Sequence, residues 1–231
     1  MPEKVLIPSI DMRLSSLLEL NRRRELEKEA RKKAGPTITI SREFGCEAYP
    51  MAEQLRELLE KKSGEAWVLM DKALLEHVAR THNLLEENLR NLGEKSRFLD
   101  EMLATFTPHW QSERDYYRLL CRQIVSLALI GNVILMGRGS AFVTQSLTNC
   151  HHFRMFASDQ FKARSIARRL NLPKEEAEQL IAKKQRQRDK FIRDFLDRDA
   201  HDLSVYNLIF NNDKNTADKI AQTILEYTLP A

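Results

Sequence analysis

Cysteine is scarce in this chain: Cys46, Cys121 and Cys150 are the only three in 231 residues. Their odd number and wide spacing exclude a disulfide framework and give no paired ligands for zinc. The expectation is a reduced, cytoplasmic protein. Long apolar runs are missing as well. None approaches the ~20 residues that span a bilayer, and the opening MPEKVLIPSIDM lacks the basic-then-apolar layout of a secretory leader, so no membrane partner is expected. One-signed charge is also small in total, since a net +4 does not demand a nucleic-acid partner. There are no internal repeats and no low-complexity segment. The phosphate-binding pattern G-x-x-x-x-G-K-[ST] is absent.

What is present is enough for a core. Hydrophobic residues make up 42% of the chain, which suits one large domain or one core with inserted subdomains. Residues 13–34 read as a helix, apolar at Leu14, Leu17 and Leu18 and then almost wholly charged. Such a helix is an arm or a contact to a second subunit, as in a homodimer. Gly35-Pro36 ends it, giving an N-terminal helical arm over 1–36 and a main domain over 37–231.

In the main domain, five short apolar runs each lead into a helical pattern: TITI (37–40), WVLM (67–70), NVILM (132–136), HFRMF (152–156) and VYNLIF (205–210). Strands separated by helices predict an α/β fold, with a five-stranded parallel sheet covered on both faces. Two intervals are long. Residues 71–131 form a helical insert and 159–204 a basic lid region. Both leave from strand C-termini, where open α/β sheets place ligands.

Several groups in these loops suit phosphate chemistry. The loop SREFGCEAYP (41–50) precedes a helix opened by Pro50, and a helix N-terminus offers free N–H groups to an anion. The alternative is an ordinary connection. MGRGS (136–140) sets Arg138 between two glycines, which clear space around a guanidinium fork suited to phosphate; the alternative is a surface arginine in a tight turn. Residues 162–198 carry twelve Lys and Arg, among them Arg164, Arg168 and Arg188. These form either a solvated face or a flap whose arginines stabilise a transferring phosphoryl group. Nucleic acid is disfavoured because the stretch lacks stacking aromatics. His151-His152 have no acid at metal spacing and read as structural, so no metal ligand set is expected from protein side chains. Cys46 sits near a helix N-terminus, where thiolate character can rise, but packing is the preferred role.

In this order the pieces resemble the cytidylate kinase-like family, a branch of the P-loop nucleoside monophosphate kinases. The resemblance runs from Thr37 to about Tyr227. It rests on ITISREFG (38–45), Asp71 at the end of the second strand, MGRGS, RSIARRLNL with EEAEQLI (164–181), Arg188 and VYNLIFNN (205–212). It implies a nucleotide-binding transferase that moves phosphoryl groups from ATP, with Mg2+, to a nucleoside monophosphate such as CMP or dCMP. Ser41, Arg42 and the segment Gly45, Cys46, Glu47, Ala48 and Tyr49 would line the ATP phosphates. Arg138 would hold the acceptor phosphate, and Arg164, Arg168 and Arg188 would close over the transferred group. Asp71 and Gln185 would face the acceptor.

The chain departs from the family pattern inside the phosphate loop. Where serine, two glycines and an arginine usually follow SREFG, it has Cys46, Glu47, Ala48 and Tyr49. A unit charge about 4 Å away at an effective dielectric near 20 is worth about 4 kcal/mol. Losing the cation and gaining Glu47 therefore weakens triphosphate binding by orders of magnitude unless Glu47 points away. Pro50 stands where a helix-opening polar residue would assist Mg2+, and Gln185 where an acid is expected. Two readings follow: an active nucleotide kinase, or a catalytically degenerate kinase fold that binds nucleotide or a protein partner. The 46–49 loop discriminates between them.

Overall fold

The computed structural model of the protein describes residues 35–81 and 113–230. The arm expected over 13–34 and the middle of the 71–131 insert lie outside them. The described elements are β1 (Thr37–Arg42), α1 (Ala48–Ser63), β2 (Val68–Met70), α2 (Lys72–Thr81), α3 (Glu113–Ile130), β3 (Val133–Met136) and α4 (Ser140–Val143). They continue with β4 (Cys150–Phe156), α5 (Asp159–Leu170), α6 (Lys174–Leu196), β5 (Leu208–Asn211) and α7 (Ala217–Thr228).

The five strands form one sheet in the order β2-β3-β1-β4-β5, and every pairing is parallel. β1 is central because β-branched Thr and Ile fill it and four successive residues are buried. That is the burial expected of a strand covered on both faces. Alternate side chains feed two cores. Val133 and Leu135 join Leu74, Leu75, Leu120 and Ile124 on the α2–α3 face. Ile134, Met136, Ile38 and Ile40 join Met51, Leu55 and Ile224 on the α1–α7 face. Each fully buried Leu or Ile contributes about 1.5–3 kcal/mol, so the two faces together hold the sheet flat between helices. The chain leaves β1 toward the β2 side, returns to insert β3, and then crosses to β4. β1 is thus the switch point, where a crevice opens above the strand ends.

Helix ends follow local chemistry. Gly64 closes α1 in the left-handed region, Ser158 caps α5 by accepting from the Phe161 N–H, and Thr216 caps α7 by accepting from the Lys219 N–H. The basic stretch is two helices rather than one. Asn171 adopts a left-handed φ of 53° to end α5, and Pro173 then starts α6. A small cluster of Ala163, Ile166, Ala177 and Ile181 packs the two together.

One strand differs from expectation. β5 begins at Leu208 rather than Val205, because the Tyr206 N–H is turned into a bond with the Leu203 carbonyl. Asn207 then clamps His152 from both sides: its N–H donates to the His152 carbonyl, and its Oδ1 accepts the His152 N–H at 2.6 Å.

His152 is structural, as its sequence context suggests. Its Nδ1 and Thr39 Oγ1 share a buried hydrogen bond of 2.8 Å. Burial first, then the neighbouring His151, push its imidazole down from 6.5 to about 4. Between those values the unfolded chain takes up a proton that the folded chain refuses. This contribution is therefore complete above about pH 6.5 and shrinks as pH falls toward 4, by at most about 1.4 kcal/mol per pH unit. Urea midpoints measured from pH 7 to 4.5 should fall less steeply in His152→Asn than in the wild type. Parallel pH profiles would remove this account of the pair.

Candidate functional site

At the C-terminal edge of the sheet a cavity of about 380 Å³ is lined by Arg42, Lys72, Arg138, Arg154, Lys184 and Arg188. They come from the end of β1, the start of α2, the turn after β3, the body of β4 and the middle of α6. Asp189 is the acid that also lines it.

The turn after β3 is built to admit arginine. Gly137 has φ +81°, and a Cβ there would run into the Arg42 guanidinium. Arg138 itself takes a left-handed φ of 56°, and Gly139 follows at 72°. A bulky residue in that region stores strain on the order of 1–3 kcal/mol, which the surroundings must offset. Here the Ser140 N–H closes the turn on the Gly137 carbonyl at 3.0 Å, and the Tyr117 hydroxyl donates to the Arg138 carbonyl at 3.0 Å. The Arg138 guanidinium pairs with Glu76 and lies 4.7 Å over the Phe191 ring. Its Nε is buried without a partner.

The other arginines are held in similar ways. Arg188 Nη1 donates to the Arg42 carbonyl at 2.9 Å, and its guanidinium sits 5.1 Å over Phe44. Arg154 Nη1 donates to the Ala200 carbonyl at 2.7 Å, and its guanidinium sits 5.6 Å over Tyr206. Crowding has an electrostatic cost. Burial, then Arg188, push the Arg42 guanidinium down to about 9 against the opposing pull of Asp71. Arg42 stays charged at neutral pH, and its surface is only partly closed. Burial also lowers Arg188 and Arg138, while Lys72 is lowered by burial and then by Arg138, Lys184 and Arg188. Burial is the leading cause in every case, and like-charged neighbours add to it at Arg42 and Lys72.

The loop between β1 and α1 is arranged differently. The Phe44 N–H donates to Gln185 Oε1 at 2.9 Å, and the Glu47 N–H to Asn212 Oδ1 at 2.9 Å. Gly45, at φ +105°, lies against Lys162, whose Cβ would be 2.7 Å from an added Cβ. Lys162 in turn bonds Glu43 and Asp159, each at 2.9 Å. The Glu47 carboxylate accepts from Arg168 at 2.7 Å and from Ser165 at 3.3 Å. Tyr49 turns along its own helix and donates to Glu53 at 2.8 Å. Cys46 is buried, and burial pushes its thiol up to about 12, which fits packing rather than a reactive thiolate.

The structure thus brings together some expected site residues and parts others. Ser41, Arg42, Arg138, Gln185 and Arg188 meet in the cavity. Asp71 stands behind Arg42 and accepts from the Leu74 N–H at 2.9 Å, as an N-cap should. Arg164 is exposed on α5, and Arg168 covers the loop at Glu47. Neither lines the cavity. Lys72, Arg154 and Lys184 line it without having been singled out from sequence. Arg154 had one signal, a charged residue inside an apolar strand, where unpaired charge is costly; Lys184 had its place in the basic 162–198 stretch, and Lys72 had none. Among the described residues, no group of three or more His, Cys, Asp or Glu is placed to hold a metal ion, and no helix is long and apolar enough to cross a membrane.

Comparison with known proteins agrees with this architecture. The fold is similar to that of an uncharacterized protein from Eubacterium ventriosum, at 20% identity and TM-score 0.64, over 85% of this chain and 98% of that one. Similarity extends, at TM-score 0.45, to shikimate kinase from Bacteroides thetaiotaomicron, with 13% identity over 85% of this chain and 99% of that one. It also extends to TT1252 from Thermus thermophilus, with 17% identity, TM-score 0.45, and coverage of 86% and 100%. A search among curated proteins finds no match. The profile of the cytidylate kinase-like family matches residues 37–214, from the first strand through the lid to the last. With its parallel five-stranded sheet and its arginines gathered at the strand ends, the chain is nucleotide-kinase-like and belongs to the cytidylate kinase-like family.

Proposed function

We propose that the cationic cavity binds the phosphate of a small phosphorylated acceptor, a nucleoside monophosphate, and that the chain transfers to it the terminal phosphoryl group of ATP. The observation that carries this reading is the convergence of Arg42, Arg138 and Arg188 on one cavity at the strand ends. Phosphoryl transfer asks the protein chiefly for positioning and charge stabilisation. Two of these guanidinium forks rest on Phe191 and Phe44 before any ligand arrives, so little ordering remains to be done on binding.

The donor side fits less well. The family pattern assigns ATP phosphates to Ser41, Arg42 and the segment from Gly45 to Tyr49; Arg42 lines the cavity instead, and the loop that follows it, 43–49, carries no Lys or Arg. Two of its amides are already bonded to Gln185 and Asn212. A triphosphate enters that nest only after those side chains let go. Mg2+ would accompany the nucleotide, because it keeps its waters and binds phosphate oxygens in preference to a protein cage.

These occupied amides favour a second reading, in which the cavity binds its phosphorylated ligand without turnover. Incubation with Mg-ATP and a panel of nucleoside monophosphates, followed by ADP release and thermal shift, separates the two. The expected result is ADP formation with an acceptor from the panel, abolished in Arg138→Ala with ATP affinity nearly unchanged. A monophosphate that raises the melting temperature while no ADP forms would exclude transfer and leave ligand binding. A ligand at 100 times its Kd adds about 2.7 kcal/mol, well within reach of that measurement.

The turn supplies a further test. Gly137→Ala drives a methyl group into the Arg42 guanidinium. Affinity for the acceptor phosphate should fall at least about tenfold, the equivalent of one charge-assisted hydrogen bond, with circular dichroism unchanged. Undiminished affinity would show that Arg42 is not needed where it stands.

A further inference from the structure

The cavity holds more positive charge than one phosphate neutralises. Arg138 has Glu76 as a partner, and Arg42 has Asp71 close by. Lys72 shares Glu76 with Arg138, at 3.9 Å, so with Asp189 three carboxylates stand against the six lining cations, while a phosphate monoester brings about −1.5 to −2.

Arg154 is the residue in excess. It is 7% exposed, and among the described residues no carboxylate pairs with it. Its protein contacts are the Ala200 carbonyl, the Tyr206 hydroxyl and the Tyr206 ring, and both hydrogen bonds use Nη1. Nε and Nη2 have no protein partner among the described residues, and neither is sealed from solvent, so the cavity that Arg154 lines is what they can reach. A buried guanidinium without a counter-ion is destabilising unless something compensates it. Its strand position also separates it from the acceptor arginines. Arg154 pairs in register with Ser41 of β1, whereas Arg138 follows β3 on the opposite side of β1. The two backbones are thus two strand spacings apart, roughly 10 Å.

We infer that Arg154 is a second anion subsite, and that the ligand carries two acidic groups on a sugar-sized scaffold. One is the phosphate held by Arg138 and Arg188; the other is a further phosphate or carboxylate that meets the free edge of Arg154. This deepens the acceptor reading above and rests on it.

Calorimetric titration of the full chain with cytidine 5′-monophosphate, cytidine 3′,5′-bisphosphate and 3-phosphoglycerate tests the idea and distinguishes the two kinds of second group. In the wild type, at least one of the two-acid probes should bind about tenfold or more tighter than the monophosphate. Arg154→Gln should erase that preference while leaving monophosphate affinity within about twofold, whereas Arg138→Ala should weaken all bound probes. Arg154→Lys, which keeps the charge but not the fork, should retain a reduced preference. Equal wild-type binding of one-acid and two-acid probes overturns the inference, whether or not Arg154→Gln folds. So does an Arg154→Gln variant that loses monophosphate affinity as much as the rest, or an undiminished preference in Arg154→Lys. A wild type that binds the monophosphate without preference leaves the acceptor reading standing, and one that binds none of the probes removes both.

Discussion

Like charges gathered at one edge of a parallel sheet must be held there against their own repulsion, and the site depends on how that is done. Three arginines are each placed over an aromatic ring: Arg138 on Phe191, Arg188 on Phe44 and Arg154 on Tyr206. A ring face attracts a cation through its quadrupole but leaves the N–H groups at the edge of the guanidinium uncommitted. Backbone carbonyls of Arg42 and Ala200 take one nitrogen each from Arg188 and Arg154. Arg138 also pairs with Glu76, whereas carboxylates in place of the Arg42 and Ala200 carbonyls would have neutralised Arg188 and Arg154 as well. For those two, rings and carbonyls keep the forks ordered and the charge unspent, which is what an anion site requires.

Helices α5 and α6 are part of the same construction. On α6, Gln185 and Arg188 lie three residues apart, one turn of one face. Gln185 receives the Phe44 N–H and Arg188 donates to the Arg42 carbonyl. On α5, Lys162, Ser165 and Arg168 repeat at the same spacing, and all three meet the acids Glu43 and Glu47 of the β1 loop. Both α5 and α6 therefore grip the end of β1 and its loop. Any movement of α6 that frees the Phe44 amide also disturbs Arg188, so the two halves of the site are mechanically linked through one helix.

The sheet was legible in the sequence because β-branched runs bounded by turn residues carry a strong local signal. The first strand, the helix after Pro50 and the glycine-flanked Arg138 need no distant partner to be recognised. β5 was misjudged by three residues because Val205 and Tyr206 look like strand, while the Leu203 turn and the grip of Asn207 on His152 are tertiary. The loop's amide partners were not legible: Gln185 and Asn212 lie 141 and 165 residues away along the chain. The family resemblance groups Arg164 and Arg168 with Arg188, but α5 presents Arg168 to Glu47 and leaves Arg164 in solvent. Arg154 reads as one charge among apolar neighbours until β1 and β5 are known to flank it on both sides.

The two halves of the site differ in how costly they are to change. The loop's two occupied amides are held by neutral bonds, Phe44 to Gln185 and Glu47 to Asn212, each worth a net ~0.5–1.5 kcal/mol, while the largely buried Lys162–Glu43 pair anchors the start of the loop. The Glu47–Arg168 pair adds little, because Arg168 is 73% exposed and such a pair is screened by solvent to about 1 kcal/mol at most. Opening the loop is therefore an expense that charge-assisted bonds to a triphosphate can recover, since each of those is roughly twice as strong as a neutral one. The occupied nest raises the threshold for donor binding without forbidding it. No comparable rearrangement relieves the cavity. Its arginines are fixed by strands, rings and a strained turn, and an anion of sufficient charge lowers the repulsion that Glu76, Asp71 and Asp189 leave. Under the proposed transfer, the loop governs whether the donor binds, while the arginines govern which ligand does.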